Sequence, residues 1–242
     1  MLPHPPLGDH YATTEAKPVF VNHLFDAGAR YYDTVVDWGL LRSGAWYRRR
    51  TLRHYGLRRG HQLLDVACGT GLVAVEAQTI LGSAETITCL DPSEGMLNVA
   101  RAKLPARFVL GRAEHLPFPD GSFDFLTMGF ALRHVTTLDE TFQEYHRVLK
   151  PGGKLLILEM TKPAGRVGAF FFKLYFGKIY PFLTGLFTRS GDARKMMAYF
   201  WETMDVCVPP ASVLETLQAA RFSEVKRVQV LGLFSEYSAV KP

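Results

Sequence analysis

The sequence predicts an α/β protein whose mostly parallel sheet ends in an antiparallel hairpin. From residue 61 onward, short apolar runs alternate with segments long enough for helices, the pattern of strands buried on both faces. Helix start and stop signals fall between those runs. The last two runs lie too close together for a crossover helix.

In chain order, residues 62–66, 86–90, 107–110, 123–128 and 155–158 are expected as buried strands. Thr137-Leu138-Asp139-Glu140 has capping-box spacing ahead of Phe142, Tyr145, Val148 and Leu149, and Lys150-Pro151-Gly152-Gly153 stops that helix. Ser212-Val213-Leu214-Glu215 repeats the box. Residues 224–231 and 233–240, joined near Gly232, are expected to pair as the terminal hairpin. Two regions fall outside the sheet. Residues 1–60 read as a loose tail and a helical cap, with amphipathic spacing at Tyr31, Tyr32, Val35, Trp38 and Leu41. Residues 164–208 read as a lid inserted in a core spanning 61–242, the whole forming a single domain.

The 242 residues suffice for one sizeable core, and 48% hydrophobic with 21% charged residues excludes a disordered tail protein. Cys68, Cys89 and Cys207 are too few and too scattered for a disulfide framework, which favours a reducing compartment. Residues 1–6 lack the regions of a signal peptide, and no stretch supplies the roughly 20 apolar residues of a spanning helix. A cytoplasmic location is therefore expected, with membrane association left open. The net charge of +5 is uneven. Arg42, Arg48, Arg49, Arg50, Arg53, Arg58 and Arg59 give residues 38–64 a charge of +7 with no acid. Arg166, Lys173, Lys178, Arg189, Arg194 and Lys195 against Asp192 give residues 164–201 +5, so the remainder is −7. An anionic surface is a candidate partner, and two solvated helix faces are the alternative.

Asp65-Val66-Ala67-Cys68-Gly69-Thr70-Gly71 follows the first strand and opens a helix, where an α/β fold binds nucleotide-like ligands. The glycines also satisfy a dinucleotide fingerprint, and Asp91 stands twenty residues after Gly71, as a ribose-binding acid should. Charge separates the two cofactors. A pyrophosphate beside Asp65 would be repelled, whereas S-adenosylmethionine brings a sulfonium and an ammonium. Asp65 could equally accept N–H bonds from its own loop. Asp91 would hold the ribose hydroxyls through its two oxygens in either case.

Asp65 to Gly71, Leu90-Asp91-Pro92-Ser93-Glu94-Gly95-Met96-Leu97, residues 113–120 and Arg147-Val148-Leu149-Lys150-Pro151-Gly152-Gly153 together resemble a class I S-adenosylmethionine-dependent methyltransferase, with its Rossmann-like sheet. Phe25-Asp26 through Tyr32-Asp33, Phe130-Ala131-Leu132-Arg133-His134-Val135 and Leu158-Glu159-Met160-Thr161-Lys162-Pro163 narrow this. They resemble the ubiquinone and menaquinone biosynthesis C-methyltransferase family, and the similarity runs from about residue 22 to the C-terminus. The resemblance implies donor contacts at Thr70, Asp91, Arg112, Ala113 and Gly129. Asp65, Ala67, Gly69, Gly71, Pro92, Met96 and Phe130 complete the expected donor-binding set. Three positions depart from the family: Arg112 replaces Asn or Asp near the adenine amino group, Gly129 replaces Ser, and His134 replaces Asn.

Methyl transfer from a sulfonium is an in-line displacement, so positioning supplies much of the acceleration. A hydroquinone carbon becomes nucleophilic when a ring hydroxyl ionises. His134 is the expected base, Arg133 the expected stabiliser of the phenolate, and Tyr32 a cap over the donor that could bond the acceptor hydroxyl. Structural roles are the alternative at each of the three. Cys68 reads as a small buried residue, and the histidines have no spacing that suggests a metal. Residues 169–187 carry eight aromatics among lysines, enough to line an apolar pocket or dip into a membrane interface. The expected acceptor is a prenylated benzoquinol or naphthoquinol, the alternative an aromatic or polyketide-like substrate of specialised metabolism undergoing O-, N- or C-methylation. A donor-binding subunit without activity is disfavoured by Asp65, Gly69, Gly71 and Asp91. A homodimer is left open, and no RNA-binding module is recognisable.

Overall fold

The computed structural model describes residues 1–8, 10–39, 43–163 and 165–242, and only the backbone of residues 38 and 39. Leu41, Arg42, Ala164 and the Trp38 side chain, all used in the sequence reading, lie outside the described residues.

Among the described residues one sheet has seven strands: β1 (Leu63–Val66), β2 (Ile87–Asp91), β3 (Arg107–Leu110), β4 (Phe123–Gly129), β5 (Leu149–Met160), β6 (Ser223–Val230) and β7 (Phe234–Val240). Their order is β3-β2-β1-β4-β5-β7-β6. The first five run parallel, while β7 inserts antiparallel between β5 and β6, as the hairpin reading expects. β1 and β2 are buried at every position, which explains why they read as continuous apolar runs rather than alternating ones.

Helices α3 (Leu72–Leu81), α4 (Glu94–Arg101), α5 (Leu138–Val148) and α9 (Pro210–Ala219) cover the sheet. Neither expected capping box forms. Thr137 has the extended backbone of an N-cap, but its side chain makes no cap bond and its Oγ1 is buried without a partner. The later helix starts at Pro210, because proline suits the first turn, and Ser212 falls inside it.

The remaining helices, α2 apart, form a cap at one end of the sheet. They are α1 (Lys17–Gly39), α6 (Arg166–Leu174), α7 (Tyr180–Thr188) and α8 (Gly191–Asp205), with a π-helical turn at Tyr175–Ile179 between α6 and α7, whereas α2 (Gly44–His54) lies on the sheet beside α3, its Tyr47 and Leu52 buried against Leu63, Phe125 and Leu156. Tyr11, Val21, Leu24 and Val35 bury against Tyr180, Met196, Met197 and Tyr199, so the N-terminal region and the insertion share one apolar cluster. The tail expected to be loose is docked: the carbonyls of Met1 and Pro3 accept N–H bonds from Leu138 and Val208, at 2.8 Å each.

Candidate active site

Strand order reverses between β1 and β4, and open α/β sheets bind ligands at the carboxyl ends of the strands beside such a reversal. Two non-glycine residues, Ala67 (φ 52°) and Phe130 (φ 62°), adopt left-handed backbone just past those two strand ends. Such conformations are costly for residues with a Cβ and concentrate at functional sites. Three adjoining cavities meet here, and Tyr32 and Phe130 line all of them.

The first cavity, about 490 Å³, is walled by Ala67, Gly69, Asp91, Pro92, Met96 and Gly129, with Phe25 above. Asp91 accepts N–H bonds from Gly69 at 2.7 Å and Ser93 at 2.9 Å, one on each carboxylate oxygen. Each oxygen thus carries one protein bond and keeps one lone-pair direction for a ligand. Burial raises its pKa to about 6.

The second cavity, about 390 Å³, is walled by Asp65, Cys68, Thr70, Val73 and Arg48. Asp65 is fully buried. Its Oδ1 accepts from Thr127 Oγ1 at 2.7 Å, but Oδ2 has no partner. Burial pushes its pKa up to about 7, and the Asp91 charge adds to the rise. Thr70 donates at 2.5 Å to Asp33, which also pairs with Lys103; the glycine loop is thereby tied to α1. Asp26, two turns earlier on the same face of α1, accepts from Ser93 Oγ at 2.5 Å and from the Gly95 N–H at 2.9 Å.

The third cavity, about 610 Å³, is apolar, and Arg133 supplies the one charge among its lining residues. Met160, Phe176, Met197, Phe200 and Met204 make most of the rest. Arg133 is 1% exposed and forms a buried ion pair with Glu159. Its Nε donates to Thr203 at 3.1 Å, and its guanidinium lies 4.7 Å over the Phe200 ring. Lys17, itself buried, donates to the carbonyls of Arg133 at 3.1 Å and Val135 at 2.8 Å, fixing the 3₁₀ turn Leu132–His134 from below. Burial lowers the Lys17 pKa to about 8.

Arg112, Ala113 and Gly71 line none of the three cavities, and His134 lines only a donor-side one. His134 borders the donor-side cavity instead of the apolar one, stacked on Tyr199 with ring centroids 5.5 Å apart. Among the described residues neither ring nitrogen has a partner, and burial, reinforced by Arg133 and Lys17, holds its pKa well below the usual value. Such an imidazole stays neutral but is a weak base, which argues against the proton-abstracting role. Arg112 turns outward to Thr136 (2.5 Å) and Glu114 (3.4 Å), and Ala113 packs in the core; neither lines a cavity. Gly71 lines none either. At φ 80°, its missing Cβ lets α3 approach Ala100 and Leu104, both of which that atom would meet at 3.3 Å. The sequence reading missed Asp26, Asp33, Lys17 and Glu159 because their partners are distant in the chain, and Arg48 because only the fold turns it from a basic run toward the glycine loop. Asp26, Asp33 and Glu159 did stand inside the quoted motifs.

The donor set fits S-adenosylmethionine. An unpartnered buried carboxylate oxygen suits a cation, and two acids beside the loop would repel a pyrophosphate. A sheet in this order, with a glycine loop and two buried acids at its point of reversal, defines a class I S-adenosylmethionine-dependent methyltransferase. A solved S-adenosylmethionine-dependent methyltransferase from Aquifex aeolicus shares the fold at TM-score 0.60 and 19% identity, over 83% of this chain and 93% of that one. The chain belongs to the ubiE/COQ5 methyltransferase family, whose model matches residues 12–232. Its relatives include the demethylmenaquinone methyltransferase of Symbiobacterium thermophilum, 35% identical over 222 residues and 87% of each chain. The ubiquinone/menaquinone biosynthesis C-methyltransferase UbiE of Cellvibrio japonicus is 35% identical over 201 residues, 79% of this chain and 80% of that one.

Proposed function

We propose that this methyltransferase C-methylates the ring of a prenylated benzoquinol or naphthoquinol, taken from a membrane surface on the cytoplasmic side. The observation that carries the reading is the apolar cavity of about 610 Å³, which meets both donor-side cavities at Tyr32 and Phe130 and holds one buried guanidinium. The names of the relatives point to the same chemistry.

When bound, S-adenosylmethionine supplies a methyl group activated on a sulfonium. Asp65, Ala67, Gly69, Thr70, Asp91, Pro92, Met96, Gly129 and Phe130 would hold it, since they wall the two donor-side cavities. Tyr32, with its pKa raised to about 12 by burial, stays protonated at the junction and can donate a hydrogen bond to an acceptor oxygen. Arg133 places a positive charge in an apolar wall, where it favours the quinolate, the hydroxyl proton having passed to solvent as the ring enters, and so raises electron density at the ring carbon; after transfer, the proton on the methylated carbon returns to the ring oxygen. Glu159, Thr203 and Lys17 hold that guanidinium and its turn in position. His134 serves as a neutral packing partner in this scheme. The Met and Phe walls exclude water from the acceptor.

The exterior of the cap supports contact with a bilayer. Phe170, Phe171, Phe182 and Leu186 are each at least 60% exposed, among Arg166, Lys173, Lys178 and Arg189. The chain carries no acid between Arg166 and Gly191. Exposed aromatics with a basic collar suit an anionic interface. Labelled methyl transfer to quinols with and without prenyl tails, with NMR of the product, tests the reading. Ring methylation of the tailed quinols is expected. Transfer confined to small untailed phenols, or to oxygen, would overturn it.

A further inference from the structure

The family match begins at residue 12, yet the residues before it are docked on the cap. Chain ends are poorly ordered unless contacts tie them down, because ordering them costs conformational entropy. Here Leu7 turns the segment, its carbonyl accepting from the His10 and Tyr11 N–H groups at 2.8 Å each. His4 and Tyr11 are 3% and 5% exposed, and the Tyr11 hydroxyl lies 3.5 Å from His4 Nε2. His10 Nε2 donates to Glu202 at 2.7 Å, and its ring meets Phe20 at 5.1 Å and Tyr199 edge-on at 5.5 Å. With the Pro3 carbonyl bonded to Val208, the segment grips α8 at Tyr199 and Glu202 and the chain just beyond it.

Of residues 1–11, those described line none of the three cavities. Other residues of α8 do. Met197, Phe200 and Met204 wall the acceptor cavity, and Thr203 accepts from Arg133 Nε at 3.1 Å. Tyr199 stands between the two sides: the His10 ring meets it, and His134, next to Arg133, stacks on it. A helix transmits a hold from one residue to the next, so gripping Tyr199 and Glu202 fixes where Phe200 and Thr203 stand. We infer that residues 1–8 with His10 and Tyr11 form a strap that positions α8, and through Thr203 the Arg133 guanidinium, for methyl transfer. The strap acts through α8 and touches no reacting atom, so His10 and Tyr11 are positioning residues. Its role rests on the reading of Arg133 as the charge of the acceptor site. Glu159 holds the same guanidinium from β5, which leaves the strap to set its second bond. Small misplacements of a positioned group cost large factors in rate.

Deleting residues 2–11 tests it, read by kcat for a prenylated quinol and by calorimetry with S-adenosylhomocysteine. The deletion should lower kcat about tenfold, with S-adenosylhomocysteine affinity held within about threefold and its stoichiometry unchanged. A segment that only stabilises the fold would instead lower stoichiometry and kcat together. His10→Ala should lower kcat about threefold, and His10→Gln, whose amide can reach Glu202, should recover most of that loss. Where the deletion does not fold, this pair decides, and wild-type kcat in His10→Ala overturns the strap. Hydrogen exchange gives a readout that needs no acceptor: the deletion should speed exchange along α8 and the Leu132–His134 turn while β1 and α3 keep wild-type rates. Unchanged kcat, a loss matched by lost stoichiometry, or faster exchange spread evenly over the sheet also overturns it. A wild type that methylates no quinol, with α8 still loosened by the deletion, would instead sink the acceptor reading and leave the strap's hold on α8 standing.

Discussion

On the donor side, Asp65, Gly69 and Asp91 belong to one strand–loop–helix–strand unit, and their contacts are mostly backbone N–H groups of that unit. The acceptor cavity takes its walls from α1, β5, the π-helical turn, α7 and α8, elements spread from Tyr32 to Met204. The donor side has a local, polar floor beneath residues of α1 and α8, such as Phe25 and Phe200, whereas the acceptor side is assembled and apolar throughout. The contrast shows how one sheet can keep a cofactor site while its acceptor site is set by the helices laid over it. It also locates the fragile point: the acceptor wall depends on a buried ion pair, Arg133–Glu159, joining the β4–α5 turn to β5.

The largest expected effect follows from that pair. Arg133→Met leaves Glu159 charged and buried, and should destabilise the fold by about 3–5 kcal/mol in denaturant titration. Adding Glu159→Gln should restore most of that loss without restoring turnover. A loss below about 1 kcal/mol would place the pair with surface bridges and break the comparison. On the donor side the expected effect is one of pH. Asp65 has its pKa raised to about 7 by burial, against an ordinary value of 3.8. The folded state thus holds this proton more tightly than the unfolded one, so its contribution to stability falls as pH rises from 3.8 through about 7. A bound ammonium favours the ionised form. Between about pH 7 and the Asp91 value of about 6, S-adenosylhomocysteine affinity should therefore weaken about tenfold per pH unit, and Asp65→Asn should remove the Asp65 part of both dependences. A flat calorimetric profile in the wild type would show that Asp65 does not face the ammonium.

The same contrast explains what could be read from sequence. Seven strands and the glycine loop were legible because burial and turn chemistry act on neighbours in the chain. Asp65 and Asp91 were legible because one opens the glycine loop and the other ends the next apolar run, twenty residues after Gly71. Arg112 was misplaced because its direction is set by Thr136 and Glu114, and Thr136 arrives from a turn past β4. Local rules also failed when tertiary packing overrode them, as at Thr137, whose capping geometry exists without the capping bond. His134 sat in a motif that marked its position, but its basicity is set by burial among rings from distant helices and by the Arg133 and Lys17 charges.

Smaller effects probe the outer surfaces of the two sides. Phe170→Ser with Phe171→Ser removes two side chains that are 63% and 61% exposed, so little folding stability should be lost. Flotation on vesicles containing anionic lipid should nevertheless fall about tenfold, with donor affinity unchanged. Unaltered flotation would remove this face from the membrane reading and leave the acceptor cavity with another route of entry.

The smallest expected effect concerns Gly129, where the resembled family has Ser. A Cβ at Gly129 would stand 2.8 Å from Val73 Cγ2, so this chain has a glycine where its own α3 leaves no room. Gly129→Ser should cost about 1 kcal/mol in denaturation, from overpacking between the end of β4 and α3. Val73→Ala removes the methyl that clashes, and in the double variant the serine should cost less than it does alone. That non-additivity is the measurement, since residues in contact couple and distant ones do not. Strict additivity would mean that β4 shifts to admit the serine, making the donor floor as adaptable as the acceptor cap and erasing the contrast between the two sides.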